Sequence, residues 1–62
     1  MKESDIMHEV GSYWVGRDKA QKAYIVFKIG PTYSTSDSAY AMTPDGLSVS
    51  VARCNYLANR RP

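Results

Sequence analysis

The sequence predicts a small α+β fold in which a two- or three-stranded antiparallel β-meander packs against one C-terminal α-helix. Two observations carry this prediction. Two strand-like runs at residues 12–17 and 23–29 are separated by a polar segment of hairpin length, and Thr43-Pro44 is a strong signal for the start of a helix. One helix lying across one face of a small sheet is a minimal arrangement for these elements.

The first hairpin is predicted from residues 12–22. Tyr13, Trp14 and Val15 all favour extended structure, because aromatic and β-branched side chains suit a pleated sheet. Residues 18–22 are polar and of a length that joins two antiparallel strands. We therefore expect a strand at 12–17 followed by a tight connection.

Residues 23–29 form the clearest strand. Alternation places Ala23, Ile25, Phe27 and Ile29 on one face, and Tyr24, Val26 and Lys28 on the other. The first set is wholly apolar, so we expect it to face the core. The second set ends in a lysine, so we expect it to meet water at least in part.

A third strand is expected between residues 32 and 42, after the turn dipeptide Gly30-Pro31. It fits either residues 33–35 or residues 39–42. The choice stays open because Ser-Asp-Ser at 36–38 is also typical of a turn between two short strands.

Residues 1–10 are predicted to be an N-terminal tail or a short helical turn. Ser4 suits the cap of such a turn and Gly11 suits its end. A single turn is marginal unless it docks on a core, and chain termini fray. We therefore assign the single small domain to residues 11–62.

The helix is predicted over residues 44–59. Thr43 is a favourable N-cap, Pro44 presets the backbone of the first turn, and Asp45 meets the positive end of the helix dipole. Arg60 and Arg61 follow near the negative end. Alternation of apolar residues over 47–51 also fits a short strand before a later helix, but the cap chemistry favours the helix.

A rotation of about 100° per residue divides this helix into two faces. The face expected against the sheet contains Leu47, Val51, Cys54 and Ala58, with Leu57 at its edge. The face expected to point outward contains Val49, Ala52 and Tyr56, with Arg53 beside it.

Length, charge and cysteine content limit the class of protein. A chain of 62 residues is enough for one domain with a thin core. The net charge of +2 permits acidic partners without demanding them. A lone cysteine forms no internal disulfide, no apolar run reaches the roughly 18 residues of a membrane span, and the first eight residues do not resemble a secretory signal. We expect a cytoplasmic protein.

Catalytic and metal chemistry are not indicated by the sequence. His8 and Cys54 lie far apart and lack partners at metal-ligand spacing. Gly-Leu-Ser-Val-Ser at 46–50 lacks the second glycine of a nucleophile elbow, and the glycines form no phosphate-binding loop. We expect no enzyme activity, metal, cofactor or small-molecule substrate.

Protein contact is the leading functional prediction. Val49, Ala52, Arg53 and Tyr56 combine a tyrosine, small apolar groups and an arginine, which is the composition of an interface. A thin core also gains stability from association, so the partner is another protein or a second copy of the chain.

Weak nucleic-acid binding is the alternative prediction. Arg17, Lys19 and Lys22 cluster around the first hairpin, and Lys28 shares a strand face with Tyr24. A basic rim beside an aromatic sheet face is how several folds bind single strands. Lysines on a solvated hairpin that discourages aggregation give the same pattern.

Overall fold

The computed structural model describes residues 3–60 and contains a four-stranded antiparallel sheet followed by one long helix. After a single 3₁₀ turn at Glu3–Asp5, the elements are β1 (Ile6–Val10), β2 (Tyr13–Asp18), β3 (Ala23–Ile29), β4 (Ser34–Ala41) and α1 (Pro44–Asn59). The strands lie side by side in chain order, as a meander. The α+β class and the C-terminal helix are confirmed, but the sheet has one or two more strands than predicted.

The additional strand is β1, in the segment expected to be a tail or a helical turn; residues 1 and 2 of that segment lie outside the described residues. Gly11 has φ 58° and Ser12 is not in the positive-φ region, which is the pattern of a type II′ hairpin turn. Ile6 pairs with Gly16 and His8 with Val15, so Met7 is the extra residue of a β-bulge. The bulge breaks the period-2 pattern by which a strand is recognised.

The second hairpin agrees closely with the sequence. β3 has the predicted bounds, and β2 is displaced by one residue. The Asp18 carboxylate accepts hydrogen bonds from the backbone N–H and the side-chain amide of Gln21, at 3.1 and 3.0 Å. These bonds close the turn between β2 and β3. Lys22, the last residue before β3, has a left-handed backbone conformation with φ 53°.

β4 is one continuous strand instead of either short alternative. Val26 pairs with Ser38 and Phe27 with Ser36, so Asp37 is the extra residue of a second bulge. The Ser-Asp-Ser segment that suggested a turn is therefore the site of this bulge. Turns and bulges both need an irregular backbone conformation, which serine and aspartate accommodate.

The helix lies on the sheet face that carries Val15 and Val26. These two valines pair across β2 and β3, are fully buried, and form the core with Cys54 and Leu57. Ala23, Ile25, Phe27 and Ile29 were expected to face the core, but they alternate with Val26 and project from the sheet face opposite the helix, where Ile25 alone of the four is buried, at 7% exposed. Both faces of β3 are largely apolar, so its alternation does not show which one the helix covers.

The buried stripe of α1 is also rotated from the predicted one. It contains Gly46, Ser50, Cys54 and Leu57, whereas Leu47, Val51 and Ala58 are half-buried beside it. Ser50 is fully buried and donates its hydroxyl hydrogen bond to the Leu47 carbonyl over 2.7 Å. The predicted cap is confirmed, because Thr43 Oγ1 accepts from the Gly46 N–H over 3.0 Å.

Candidate interaction surfaces

The outward helix face is defined as Val49, Ala52, Arg53 and Tyr56. Val49, Ala52 and Tyr56 are exposed on the side of α1 away from the sheet, and Arg53 lies at the border with β4. Val49 and Tyr56 are 50% and 58% exposed, and Ala52 is also exposed. These three side chains are separated by three or four residues, so they line one stripe of the helix. The helix thus presents an apolar strip with a tyrosine near its C-terminal end.

Arg53 is held in place at the border of this strip. Its Nε–H donates to Oδ2 of Asp37 over 3.1 Å, and its guanidinium carbon lies 5.6 Å from the centre of the Tyr56 ring. The hydrogen bond from Arg53 lowers the pKa of the Asp37 carboxyl, against the smaller opposing effect of burial. One arginine therefore connects the β4 bulge to the exposed tyrosine through an ion pair and a cation–π contact.

A shallow groove of about 260 Å³ lies beside this ion pair, between the end of α1 and the strands. Lys28, Arg53 and Arg60 contribute positive groups to it, and Asp37 contributes a negative one. Its volume is below the roughly 300–1,000 Å³ of pockets that enclose a drug-sized ligand. The groove therefore supplies a polar rim to the outward helix face.

The basic residues predicted to contact nucleic acid lie at two ends of β3. Arg17 forms an ion pair with Asp5 over 3.1 Å, and Lys19 and Lys22 are exposed at the β2–β3 hairpin. Tyr24 is half-buried and packs against the core on the helix side of the sheet, which removes much of its ring from solvent. Lys28 lies six residues beyond Lys22, near the other end of β3 and roughly 20 Å from the hairpin.

His8 and Cys54 have structural partners. His8 Nε2 lies 2.8 Å from Oδ1 of Asn55, which joins β1 to α1. Cys54 is fully buried, and burial raises the pKa of its thiol. Within residues 3–60, no three His, Cys, Asp or Glu side chains are grouped so that they could hold a metal ion. In the same range, no helix is long and apolar enough to cross a membrane.

A second apolar surface is the open sheet face on the side opposite α1, which includes the four β3 residues expected to face the core. Ile6, Gly16, Ile25 and Ala39 form a continuous apolar row across all four strands. In the next row, the Trp14 and Phe27 rings stack with centroids 4.3 Å apart and planes 20° from parallel. The apolar residues at alternate positions of β3 indicated an apolar face, but the same pattern is also expected of a face in the protein core.

Comparison with protein-family models, with curated proteins and with solved structures found no match to this chain. The function is therefore inferred from the geometry of these surfaces.

Proposed function

We propose that this chain is a small non-catalytic binding domain that acts through protein–protein contact, using the outward helix face. The observation that carries the proposal is the arrangement of Arg53, which is held by Asp37 while it lies over the exposed ring of Tyr56. Tyrosine and arginine are, with tryptophan, the residue types enriched among side chains that dominate binding energy at protein interfaces.

The geometry favours binding because the side chain of Arg53 is already restrained. An arginine that must be immobilised on binding costs about 0.5–1.5 kcal/mol of conformational entropy. Here the hydrogen bond to Asp37 restricts Arg53 before any partner arrives. Ala52 adds little bulk between Val49 and Tyr56, so a partner can approach the helix closely.

The chemistry of the surface defines the partner that fits it. The exposed phenol ring of Tyr56 suits an apolar cleft, and Val49 extends the contact along the helix. Asp37 occupies Nε of Arg53, and the guanidinium has further N–H donors that suit a carbonyl or carboxylate at the rim of that cleft. We expect a protein with an apolar cleft bordered by acceptor groups.

Affinity capture with matched variants tests this function. The tagged chain, Tyr56→Ala and Lys22→Glu are used in parallel on the same lysate, with and without nuclease treatment. We expect the wild type and Lys22→Glu to retain one stoichiometric protein and Tyr56→Ala to lose it, with Kd raised at least about fivefold because an anchor contributes more than about 1 kcal/mol.

The salt and nuclease dependence separates the two candidate functions. Apolar contact through α1 changes little with salt, whereas binding to phosphates weakens steeply. Retention of the same protein by Tyr56→Ala would contradict the proposal. Recovery that needs intact nucleic acid and disappears in Lys22→Glu would also contradict it, and would favour the hairpin lysines.

A further inference from the structure

The groove between the end of α1 and the strands gathers positive charge. Its cavity of about 260 Å³ is lined by the cationic side chains of Lys28, Arg53 and Arg60 and by the carboxylate of Asp37. Three cations and one anion give the described side chains around it a net charge of +2. A concave site of one sign concentrates ligands of the opposite sign, so its charge favours a small anion.

A row of the sheet forms one wall of this groove. Lys28 pairs with Tyr13 on one side and with Thr35 on the other, so the three residues lie side by side across β2, β3 and β4. Lys28 is two residues beyond Val26, which faces the helix, so the row belongs to the helix side of the sheet. The helix ends at Asn59, and both Lys28 and Thr35 are exposed. An ammonium group and two hydroxyl groups therefore face the groove together.

Two of the three cations have no anionic partner. Arg53 is held by Asp37, with its Nε–H donating to Oδ2 over 3.1 Å. The side chains of Lys28 and Arg60 are exposed and form no ion pair or hydrogen bond with any residue in 3–60. The positive charge of the groove is therefore carried by these two side chains.

The end of the helix opposes an anion only in part. The last carbonyl groups of a helix together carry about half a negative charge. One of them, the carbonyl of Leu57, already accepts the backbone N–H of Arg60 over 3.4 Å. Half a charge is smaller than the two positive charges of Lys28 and Arg60, so the groove stays positive overall.

We propose that this groove binds a phosphate monoester, with its oxygens held by Lys28 and Arg60 and by the hydroxyl groups of Tyr13 and Thr35. Such a group carries about −1.5 to −2 charge at pH 7 and three strong acceptor oxygens, which match two unpartnered cations. A guanidinium group binds two phosphate oxygens in parallel, whereas a carboxylate neutralises only one cation. A cavity below roughly 300 Å³ also suits a group of this size. None of these four residues belongs to the outward helix face, so the proposal does not depend on the protein contact proposed above.

The position of the groove argues against a nucleic-acid backbone as the ligand. Lys19 and Lys22 lie at the other end of β3, roughly 20 Å from Lys28. Arg17, on the neighbouring strand, is paired with Asp5 over 3.1 Å. Phosphodiesters carry one charge each and are bound along a continuous basic track. The groove is instead a separate point of positive charge that suits a terminal phosphate.

Titration of the ¹⁵N-labelled chain, followed by amide NMR shifts, measures this binding. Inorganic phosphate is the free probe, and phosphoserine with blocked termini represents a phosphorylated side chain. Both are used at about pH 8, where each carries close to two charges, with ionic strength held constant by chloride. We expect saturable shifts at the amides of Lys28, Thr35 and Arg60, with a Kd of about 1 mM for the tighter probe. Lys28→Gln and Arg60→Gln should each raise that Kd at least about fivefold, because each removes one of the two unpartnered cations.

Lys19→Gln is the matched control, since it removes the same charge from an exposed position at the other end of β3. It should leave the Kd within about twofold of the wild-type value, because screening limits the reach of a distant charge. Both assignments of the source support the proposal: tighter binding of blocked phosphoserine indicates a phosphorylated side chain, and tighter binding of inorganic phosphate indicates a free anion.

Four results would overturn the phosphate site. The first is a set of shifts that do not saturate, and the second is an unchanged Kd in Lys28→Gln or Arg60→Gln. The third is an equal loss of affinity in Lys19→Gln and Lys28→Gln, which would show general charge screening. The fourth is tighter binding of acetate or of a short oligothymidine at the same amides, which would assign the groove to a carboxylate or to nucleic acid.

Discussion

Arg53 Nε lies 3.1 Å from Asp37 Oδ2, so the helix and the edge strand β4 are joined by a charged hydrogen bond at the position of a bulge. The bulge adds Asp37 between Ser36 and Ser38 and brings its carboxylate to the helix side. Without the extra residue, alternation would continue unbroken along β4. The irregularity in the strand therefore positions a group that orders Arg53 beside Tyr56.

The first prediction concerns the titration of Asp37. Because Arg53 lowers its pKa in the folded chain, the ionised carboxylate stabilises the fold. That stabilisation is fully present above the ordinary pKa of 3.8 and is lost as pH falls from there through the lowered folded value. Carboxyl ¹³C NMR should give a midpoint for Asp37 below 3.8.

Arg53→Gln is the control for this titration. It removes the charged donor, so the midpoint of Asp37 should move up toward the ordinary value. In Asp37→Asn, the decrease in the free energy of unfolding at low pH that comes from this ion pair should be absent. A wild-type midpoint at or above 3.8 would show that the ion pair does not form in solution.

The second prediction tests which sheet face the helix covers. Val15→Ala and Val26→Ala each remove two methyl groups from a fully buried position and should lower the free energy of unfolding by about 2 kcal/mol. Val49→Ala makes the same chemical change on the exposed side of α1 and should alter it by less than about 0.5 kcal/mol. Urea unfolding measures all three. Equal losses at the three sites would show that the helix is packed differently.

The third prediction concerns Gly46, where two effects have opposite signs. Alanine is favoured over glycine inside a helix by about 1 kcal/mol. A Cβ at position 46, however, would overlap the carbonyl oxygen of Ala41, a backbone atom that moves only with its strand. We expect Gly46→Ala to lower the free energy of unfolding by about 2 kcal/mol or more.

Ser48→Ala is the control for Gly46→Ala, because it improves helix propensity at an exposed position of the same turn. It should leave urea unfolding unchanged or slightly stabilise the domain. If both substitutions stabilise it to the same degree, the helix does not approach β4 as closely as the Gly46–Ala41 contact requires.

The fourth prediction concerns the reactivity of Cys54. The thiol is fully buried and burial raises its pKa, so both access and thiolate formation are disfavoured. Labelling by an aromatic disulfide reagent at pH 8 should be at least about 100-fold slower in the folded chain than in urea, because it requires opening of the core. Rapid labelling of the folded chain would place Cys54 outside the core.

Much of the helix and of the central hairpin was predictable because their signals are local. Thr43 caps the helix as its sequence indicates, and the run from Ala23 to Ile29 is a strand with the expected bounds. Capping depends on residues within one turn, and extended structure depends on the side chains of the strand itself. Neither needs knowledge of the rest of the fold.

The faces and the edge strands were not predictable from the same signals. Val26 and Phe27 are both apolar, so only the position of the helix decides which of them is in the core. Met7 and Asp37 are bulged, which hides the alternation of β1 and β4. Gly46 and Ser50 are buried because the helix approaches the sheet closely there, and small or polar residues do not stand out as core positions in a hydrophobic pattern.

The candidate surfaces were likewise predictable only in part. The exposure of Val49 and Tyr56 agrees with helical periodicity, but the contact of Arg53 with Asp37 depends on a bulge that the sequence did not reveal. The stack of Trp14 on Phe27 depends on the register of β2 and β3, in which these residues pair directly. Register between strands is a long-range property, so the open sheet face emerges only from the structure.

The most direct test of the central claim is site-specific photo-crosslinking in living cells, with a benzophenone side chain placed at Ala52 or, as a control, at Lys19. Both positions are exposed, one on the outward helix face and one on the basic hairpin. The proposed function predicts one discrete protein adduct from position 52 and none from position 19. Adducts from position 19 alone, to protein or to nucleic acid, would contradict protein contact through the helix.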